Sequence, residues 1–276
     1  MPKFIDPNLQ FKSSKIDKTL QMVNVKGQDF PLPSEIEISE SGMCNRKCSF
    51  CPRSNPSYEH INEFISLNLI QKLINEIKEL EYTGTIRFSG FVEPLLDKRI
   101  FKIIEMIKSS VSSCNIELVT NGDVLNYKRL VKLFKSGLNK ILISAYDSKE
   151  QALDFENLCH EANLKNDQYI VRHRYLPPDE DFGITLSNRA GEMVDAEYKI
   201  DALNESLEQP CFIPGYTFFM DFQGDVLICP HDWGKKSKMG NFNEVSLLDL
   251  WLDKKWISIR RSLIKGNRNF KPCNVC

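Results

Sequence analysis

Gly42-Met43-Cys44-Asn45-Arg46-Lys47-Cys48-Ser49-Phe50-Cys51-Pro52 is the stretch on which the reading of this chain turns. Its cysteines follow the order Cys-x3-Cys-x2-Cys, with an aromatic residue, Phe50, just before the last. A set of four cysteines saturates a metal centre, whereas three leave one position open. Three thiolates can hold three irons of a 4Fe-4S cube and leave the fourth free to take a second molecule. A partial zinc knuckle with its fourth ligand elsewhere is the alternative, although such knuckles usually present cysteines in C-x2-C pairs.

Outward from this loop the chain alternates. Glu35-Ile36-Glu37-Ile38-Ser39 reads as a strand leading into the cysteines. A helix is expected over 67–80, with Leu67, Ile70, Leu73, Ile74 and Ile77 on one face and Ser66 as its cap. Strands follow at 85–88, 116–119, 140–144 and 169–173. Between them run helices carrying Ile100, Ile103, Ile104 and Ile107, then Leu130, Leu133 and Phe134, then 152–162. Strands alternating with helices at this rhythm predict βαβ units, an α/β fold and a parallel sheet. The segment to residue 191 is too short for eight units. Past 192 the rhythm breaks. The runs 216–221 and 226–229 flank Phe222-Gln223-Gly224-Asp225, a hairpin signal, and Ser246 with Asp249 forms a capping box for a helix bearing Leu247, Leu250 and Trp251.

The cysteine loop resembles that of the radical S-adenosylmethionine (radical SAM) superfamily. The resemblance implies a partial, open (β/α)6 barrel over 35–191, preceded by an N-terminal extension (1–34). It also implies that the open iron takes the amino and carboxylate groups of SAM and that reductive cleavage gives a 5'-deoxyadenosyl radical. Ser89-Gly90-Phe91-Val92-Glu93-Pro94 looks like the family's Gly-Gly-Glu loop, with Phe91 or Val92 in place of the second glycine, so Gly90 and Glu93 are expected at the SAM ammonium. Thr120 and Asn121 are expected against the ribose, and Ser144 against the ribose or the methionine carboxylate. Read without the resemblance, these are ordinary turn and strand-end residues. Arg189, in Ser187-Asn188-Arg189-Ala190-Gly191, is expected to pair with a carboxylate of SAM or substrate and to serve turnover. Arg172, His173 and Arg174 alternate, so one face of that strand receives both arginines and the other His173, a candidate proton acceptor if it faces the barrel mouth.

Cys211, Cys229, Cys273 and Cys276 bracket the hairpin and helix. Their order resembles the twitch form of the SPASM accessory domain, implying a module over 192–276 that holds an auxiliary 4Fe-4S cluster. A four-cysteine zinc site has the same sequence signature. A saturated cluster cannot grip a substrate but can accept or relay an electron. Cys114 and Cys159 are read as buried structural thiols. Together the two resemblances imply an oxidoreductase that turns an alcohol of a sugar-like or aminocyclitol-like molecule into a ketone. A peptide maturase, a radical epimerase and a non-catalytic iron-sulfur redox module are the rival readings.

Composition fits that expectation. The 276 residues are 42% apolar, enough for a sizeable core, and a formal net charge of -1 supplies no field for nucleic acid or an acidic membrane. No apolar run is long enough to cross a bilayer, and the start, Met1-Pro2-Lys3-Phe4, lacks a signal-peptide core. Nine cysteines without a secretion signal suggest metal ligation in the cytoplasm; the radical SAM resemblance implies a flavodoxin- or ferredoxin-type reductant as partner.

Overall fold

The strands expected from the alternation form in the computed structural model, which describes residues 21–175 and 187–276; the first twenty residues of the expected extension lie outside it. The described residues begin with a hairpin absent from the sequence reading, β1 (Met22–Val25) and β2 (Gln28–Pro31). Its turn places Lys26 (φ 53°) and Gly27 (φ 81°) in the left-handed region, as a two-residue hairpin loop requires. The alternation around Lys26-Gly27 carried that signal.

The main unit then runs β3 (Glu35–Ser39), α1 (Leu67–Glu79), β4 (Thr85–Phe88), α2 (Ile100–Ser110), β5 (Asn115–Thr120), α3 (Tyr127–Lys135), β6 (Lys140–Ala145), α4 (Lys149–Glu161) and β7 (Tyr169–His173). Three of these four helices, α1, α3 and α4, begin at a side chain that accepts from a free amide of the first turn. Ser66 Oγ accepts from Leu69 N at 3.1 Å, Asn126 Oδ1 from Arg129 N at 3.0 Å and Ser148 Oγ from Gln151 N at 3.2 Å. Most of the faces predicted to be buried are buried: Ile70, Leu73, Ile74 and Ile77 of α1, Ile100, Ile103, Ile104 and Ile107 of α2 and Leu130 and Leu133 of α3, while Leu67 and Phe134 are half-buried.

The sixth parallel strand comes from an unexpected place. β8 (Thr217–Asp221) pairs in parallel with β3, Glu35 opposite Thr217, while β3 pairs on its other side with β4, Glu35 opposite Thr85. β8 also turns through Gly224 into β9 (Asp225–Leu227), the predicted antiparallel hairpin, and β10 (Lys238–Asn241) adds to that edge. The sheet order is therefore β10-β9-β8-β3-β4-β5-β6-β7. The C-terminal hairpin continues the barrel sheet, so the turn after β9 that carries Cys229 and the loop after β3 that carries the first three cysteines leave one sheet.

Inside the sheet, side chains of three neighbouring strands form an ion-paired fork. Arg87 of β4 meets Glu117 of β5 at 2.5 Å and Glu35 of β3 at 2.9 Å, with all three nearly excluded from water. Each charge is paired, which burial of this kind demands. On the outer face, α5 (Leu247–Trp251) and α6 (Lys254–Ile264) close over β8. Trp256 stacks on Phe218 (centroids 5.8 Å apart) and meets Trp251 edge-on at 5.3 Å, while Trp251 Nε1 donates to Pro31 O at 2.7 Å. Among the described residues no helix is long and apolar enough to cross a membrane.

Trp256 is fully buried, so Trp256→Ala is expected to cost about 3–5 kcal/mol through lost burial and the cavity left behind. Ile264→Ala, at the exposed end of the same helix, is expected to stay within about 0.5 kcal/mol. Denaturant unfolding followed by tryptophan-independent circular dichroism measures both, and equal effects would contradict the packing described.

Candidate active site

All six parallel strands point their carboxyl ends to one side, and a cavity of about 410 Å³ opens there. Its walls include Cys44, Cys48 and Cys51 from the loop after β3, Gly90 and Glu93 from the loop after β4, and Thr120 and Asn121 from the end of β5. Arg189 and the loop after Cys229 complete it from the C-terminal side.

The cysteine loop has little regular structure, so side chains must hold it. Arg46, between the first two cysteines, forks across two strand ends: Nη2 donates to Asp123 Oδ1 at 2.5 Å and Nη1 to Asp147 Oδ1 at 2.6 Å. Asn45 adds a bond to Asp123 Oδ2 at 2.6 Å. Bidentate charge-assisted bonds of this kind are strong and directional. On the other side the buried Arg53 donates through Nε to Phe91 O at 2.9 Å and through Nη2 to Gly42 O at 2.8 Å. The Glu93 amide donates to Met43 O at 2.8 Å. Arginines thus tie the loop to the ends of β4, β5 and β6.

Gly90 has φ +99°, and a Cβ there would stand 2.9 Å from the Phe219 ring and 3.1 Å from Ser39 Cβ. Both the conformation and the space demand glycine. Phe91, in place of a second glycine, turns its ring away against Trp233 (centroids 4.5 Å) and Phe219 (5.0 Å). Glu93 does not offer a free carboxylate. Its Oε1 accepts from Thr120 Oγ1 at 2.6 Å and Leu95 N at 3.0 Å, and its Oε2 from Asn121 N at 2.7 Å. Burial pushes its pKa up, and those hydrogen bonds work against the rise. Glu93 therefore orients the two loops that face the cavity. Asn121 Nδ2 donates to Asn45 Oδ1 at 2.8 Å, which links the β5 end to the cysteine loop.

Two expected site residues sit elsewhere. Ser144 is fully buried and outside the cavity wall; its Oγ accepts from Arg172 Nη2 at 2.6 Å, so it holds a side chain that does line the cavity. His173 is corrected outright as a candidate proton acceptor. The period-two alternation of β7 turns Arg172 and Arg174 into the cavity and His173 outward, where it lies 3.7 Å from Glu156 of α4 and 3.2 Å from Tyr175 Oη. The sequence announced the alternation but not which face is the mouth. Glu37, which accepts from Ser89 Oγ at 2.7 Å, and His231 also line the cavity and were missed, since neither stands in a motif. Arg189 does line it; among the described residues its guanidinium has no hydrogen-bond or ion-pair partner.

The thiol sets suit iron-sulfur clusters by their donor chemistry. All nine cysteines are free thiols. Burial and the neighbouring thiols Cys51 and Cys44 push Cys48 up to about 12, so a bound cation is what would make this trio thiolates. Cys211, Cys229 and Cys273 pack together in an apolar pocket with Ile228, Leu263 and Phe270, and Cys276 acts electrostatically on Cys229 and Cys273. Burial pushes Cys273 up to about 12. Among the described residues no three ligand side chains are drawn to the spacing of a single ion's ligands. Cys44, Cys48 and Cys51 would hold a cluster open on the cavity side, and the other four a closed one.

Residues 38–170 match the radical SAM superfamily, and 211–276 match the SPASM iron-sulfur cluster-binding domain. The S-adenosyl-L-methionine-dependent 2-deoxy-scyllo-inosamine dehydrogenase of Niallia circulans is 28% identical over 245 residues, covering 87% of this chain and 92% of that one. Among solved structures, BtrN in complex with AdoMet and 2-DOIA superposes with a TM-score of 0.73 at 26% identity, covering 88% of this chain and 92% of that one. The fold is also that of anSMEcpe with bound AdoMet and the Cp18Cys peptide, at a TM-score of 0.56 and 13% identity over 89% of this chain and 86% of that one.

If the Arg46 fork fixes the loop, Asp123→Asn is expected to cost about 1.5–3 kcal/mol and to reduce iron retention. Asp147, 56% exposed, is the weaker arm, and Asp147→Asn should cost less than about 1 kcal/mol. Thermal unfolding and iron analysis of both variants check the ranking; the reverse order would contradict it.

Proposed function

With residues 38–170 matching the radical SAM superfamily and 211–276 the SPASM domain, we propose that the chain is a radical SAM dehydrogenase oxidising a secondary alcohol of an aminocyclitol-like small molecule to a ketone. The observation that carries this reading is that Cys44, Cys48 and Cys51 share the cavity wall while Cys211, Cys229 and Cys273 gather in a separate apolar cluster, which suits an open cluster and a closed one. The whole-chain likeness to an aminocyclitol dehydrogenase supports it. When bound, the open cluster with SAM supplies hydrogen-atom abstraction from an unactivated C–H, and the closed cluster supplies an electron acceptor.

The chain's own residues bind and orient. Gly90, Glu93, Thr120 and Asn121 form the SAM shelf: Gly90 lets the backbone approach, and Glu93 locks Thr120 and Asn121 in place from behind. Glu37 is the cavity carboxylate suited to a substrate ammonium, and Arg172, steadied by Ser144, donates toward substrate oxygens. The cavity volume suits a small molecule with its cofactor better than a peptide segment. In this reading a flavodoxin- or ferredoxin-type protein supplies electrons in the cytoplasm, and neither nucleic acid nor membrane takes part.

Anaerobic reconstitution with SAM, dithionite and 2-deoxy-scyllo-inosamine or related aminocyclitols is expected to give deoxyadenosine and ketone in matched amounts. Deoxyadenosine without ketone from any alcohol offered would remove the dehydrogenase reading. Replacing Cys44, Cys48 and Cys51 together by Ala should abolish deoxyadenosine while the iron of the second set remains.

Glu37→Gln is expected to raise KM for the amine-bearing substrate by about tenfold, the loss of one charged contact of about 1.5 kcal/mol, with the SAM dissociation constant unchanged. An unaltered KM would take Glu37 out of substrate recognition.

A further inference from the structure

Segment 187–203 is bonded to both cysteine-bearing turns. Toward the first, the Tyr198 amide donates to Ser49 O at 2.8 Å and the Glu197 amide to Ser54 Oγ at 3.0 Å. Toward the second, the Leu203 amide donates to Val275 O at 3.1 Å, and the Asn188 side-chain amide donates to the same carbonyl. Gly191 lies so near that an added Cβ would sit 3.2 Å from a Val275 methyl. One strap therefore fixes the distance between turns that are remote in sequence.

Arg189 sits on this strap in an unusual conformation. It and Ala190 have φ 48° and 56°, a left-handed pair that L-residues adopt only when the surroundings impose it. The turn puts the Arg189 side chain on the cavity wall that also carries Cys51. The Arg189 neighbours Asn188 and Gly191 lie against Val275, the residue before Cys276, so the same turn reaches the second set. The other cavity arginines beside the cysteine loop are committed, Arg46 to Asp123 and Asp147 and Arg53 to two carbonyls. Among the described residues the Arg189 guanidinium has no such partner.

We propose that Arg189 is a shared counter-charge for the two cysteine centres, held between them by the 187–203 strap, and that it raises the reduction potential of both. A fixed cation stabilises the reduced state of a cluster, which carries one more negative charge. This role rests on the reading that both thiol sets bind clusters. It differs from pairing with a carboxylate of SAM, because it operates with no SAM present. Arg189 is on this account a positioning residue for charge, acting through the clusters.

The test is a mediator-poised redox titration of the reconstituted full chain without SAM, each centre followed by its electron paramagnetic resonance signal. Arg189→Asn is the neutral variant, because asparagine tolerates a positive φ, and Arg189→Lys keeps the charge. Both potentials are expected to move to more negative values in Arg189→Asn and to stay near wild type in Arg189→Lys. Wild-type iron content with unmoved potentials in Arg189→Asn overturns the proposal, as does a shift confined to one centre. If Arg189→Asn loses iron, Arg189→Gly repeats the measurement; loss of iron in the Lys variant too makes the residue structural and overturns the proposal. Wild-type protein that assembles fewer than two clusters overturns the cluster reading itself, and with it this inference, which iron and sulfide analysis shows before any titration.

Discussion

The fork of Arg46 onto Asp123 and Asp147 is the interaction on which the site most depends. A loop that must present three thiols to one cavity cannot be a helix or a strand, so it makes few backbone bonds of its own. Its position is therefore set from outside, by Arg46 reaching the ends of β5 and β6 and by Arg53 reaching the loop after β4. The positive side chains lie within the cysteine motif and the negative ones at strand ends. Placement of the thiols therefore depends on the parallel sheet that brings those strand ends together.

The same economy governs the buried polar groups of the cavity wall. Glu93 accepts three hydrogen bonds and joins the β4 and β5 loops. Arg87 joins three strands through Glu35 and Glu117. Each charge is expensive to bury alone and tolerable only in its set, which makes the interior specific as well as polar. The Trp251, Trp256 and Phe218 stack covers the opposite face of β8, so the strand shared by barrel and hairpin is clamped on both sides.

Much of this was legible in the sequence because it is local. The cysteine spacings, the helix faces, the Ser66 and Ser246 caps and the hairpin through Gly224 all depend on neighbours within a few residues. What was not legible depends on distant pairing. β8 reads as one arm of a hairpin, and nothing near Thr217 says that its other edge will meet Glu35. The alternation of Arg172, His173 and Arg174 was visible, but the face that meets the cavity is decided by how the sheet curves. Phe91 looks like a departure from a glycine pair until Trp233, from beyond Cys229, is found against its ring. Arg46 looks like a solvated charge until its two aspartates arrive from separate strands.

In the proposed reading one thiol set is open to the cavity and the other is closed. Electron paramagnetic resonance of the reduced, reconstituted protein, recorded before and after addition of SAM, tests it most directly. Two cluster signals are expected, of which SAM alters the one lost in the Cys44, Cys48 and Cys51 variant and leaves the other unchanged. A single signal, or a pair in which SAM alters the centre held by Cys211, Cys229, Cys273 and Cys276, would contradict it.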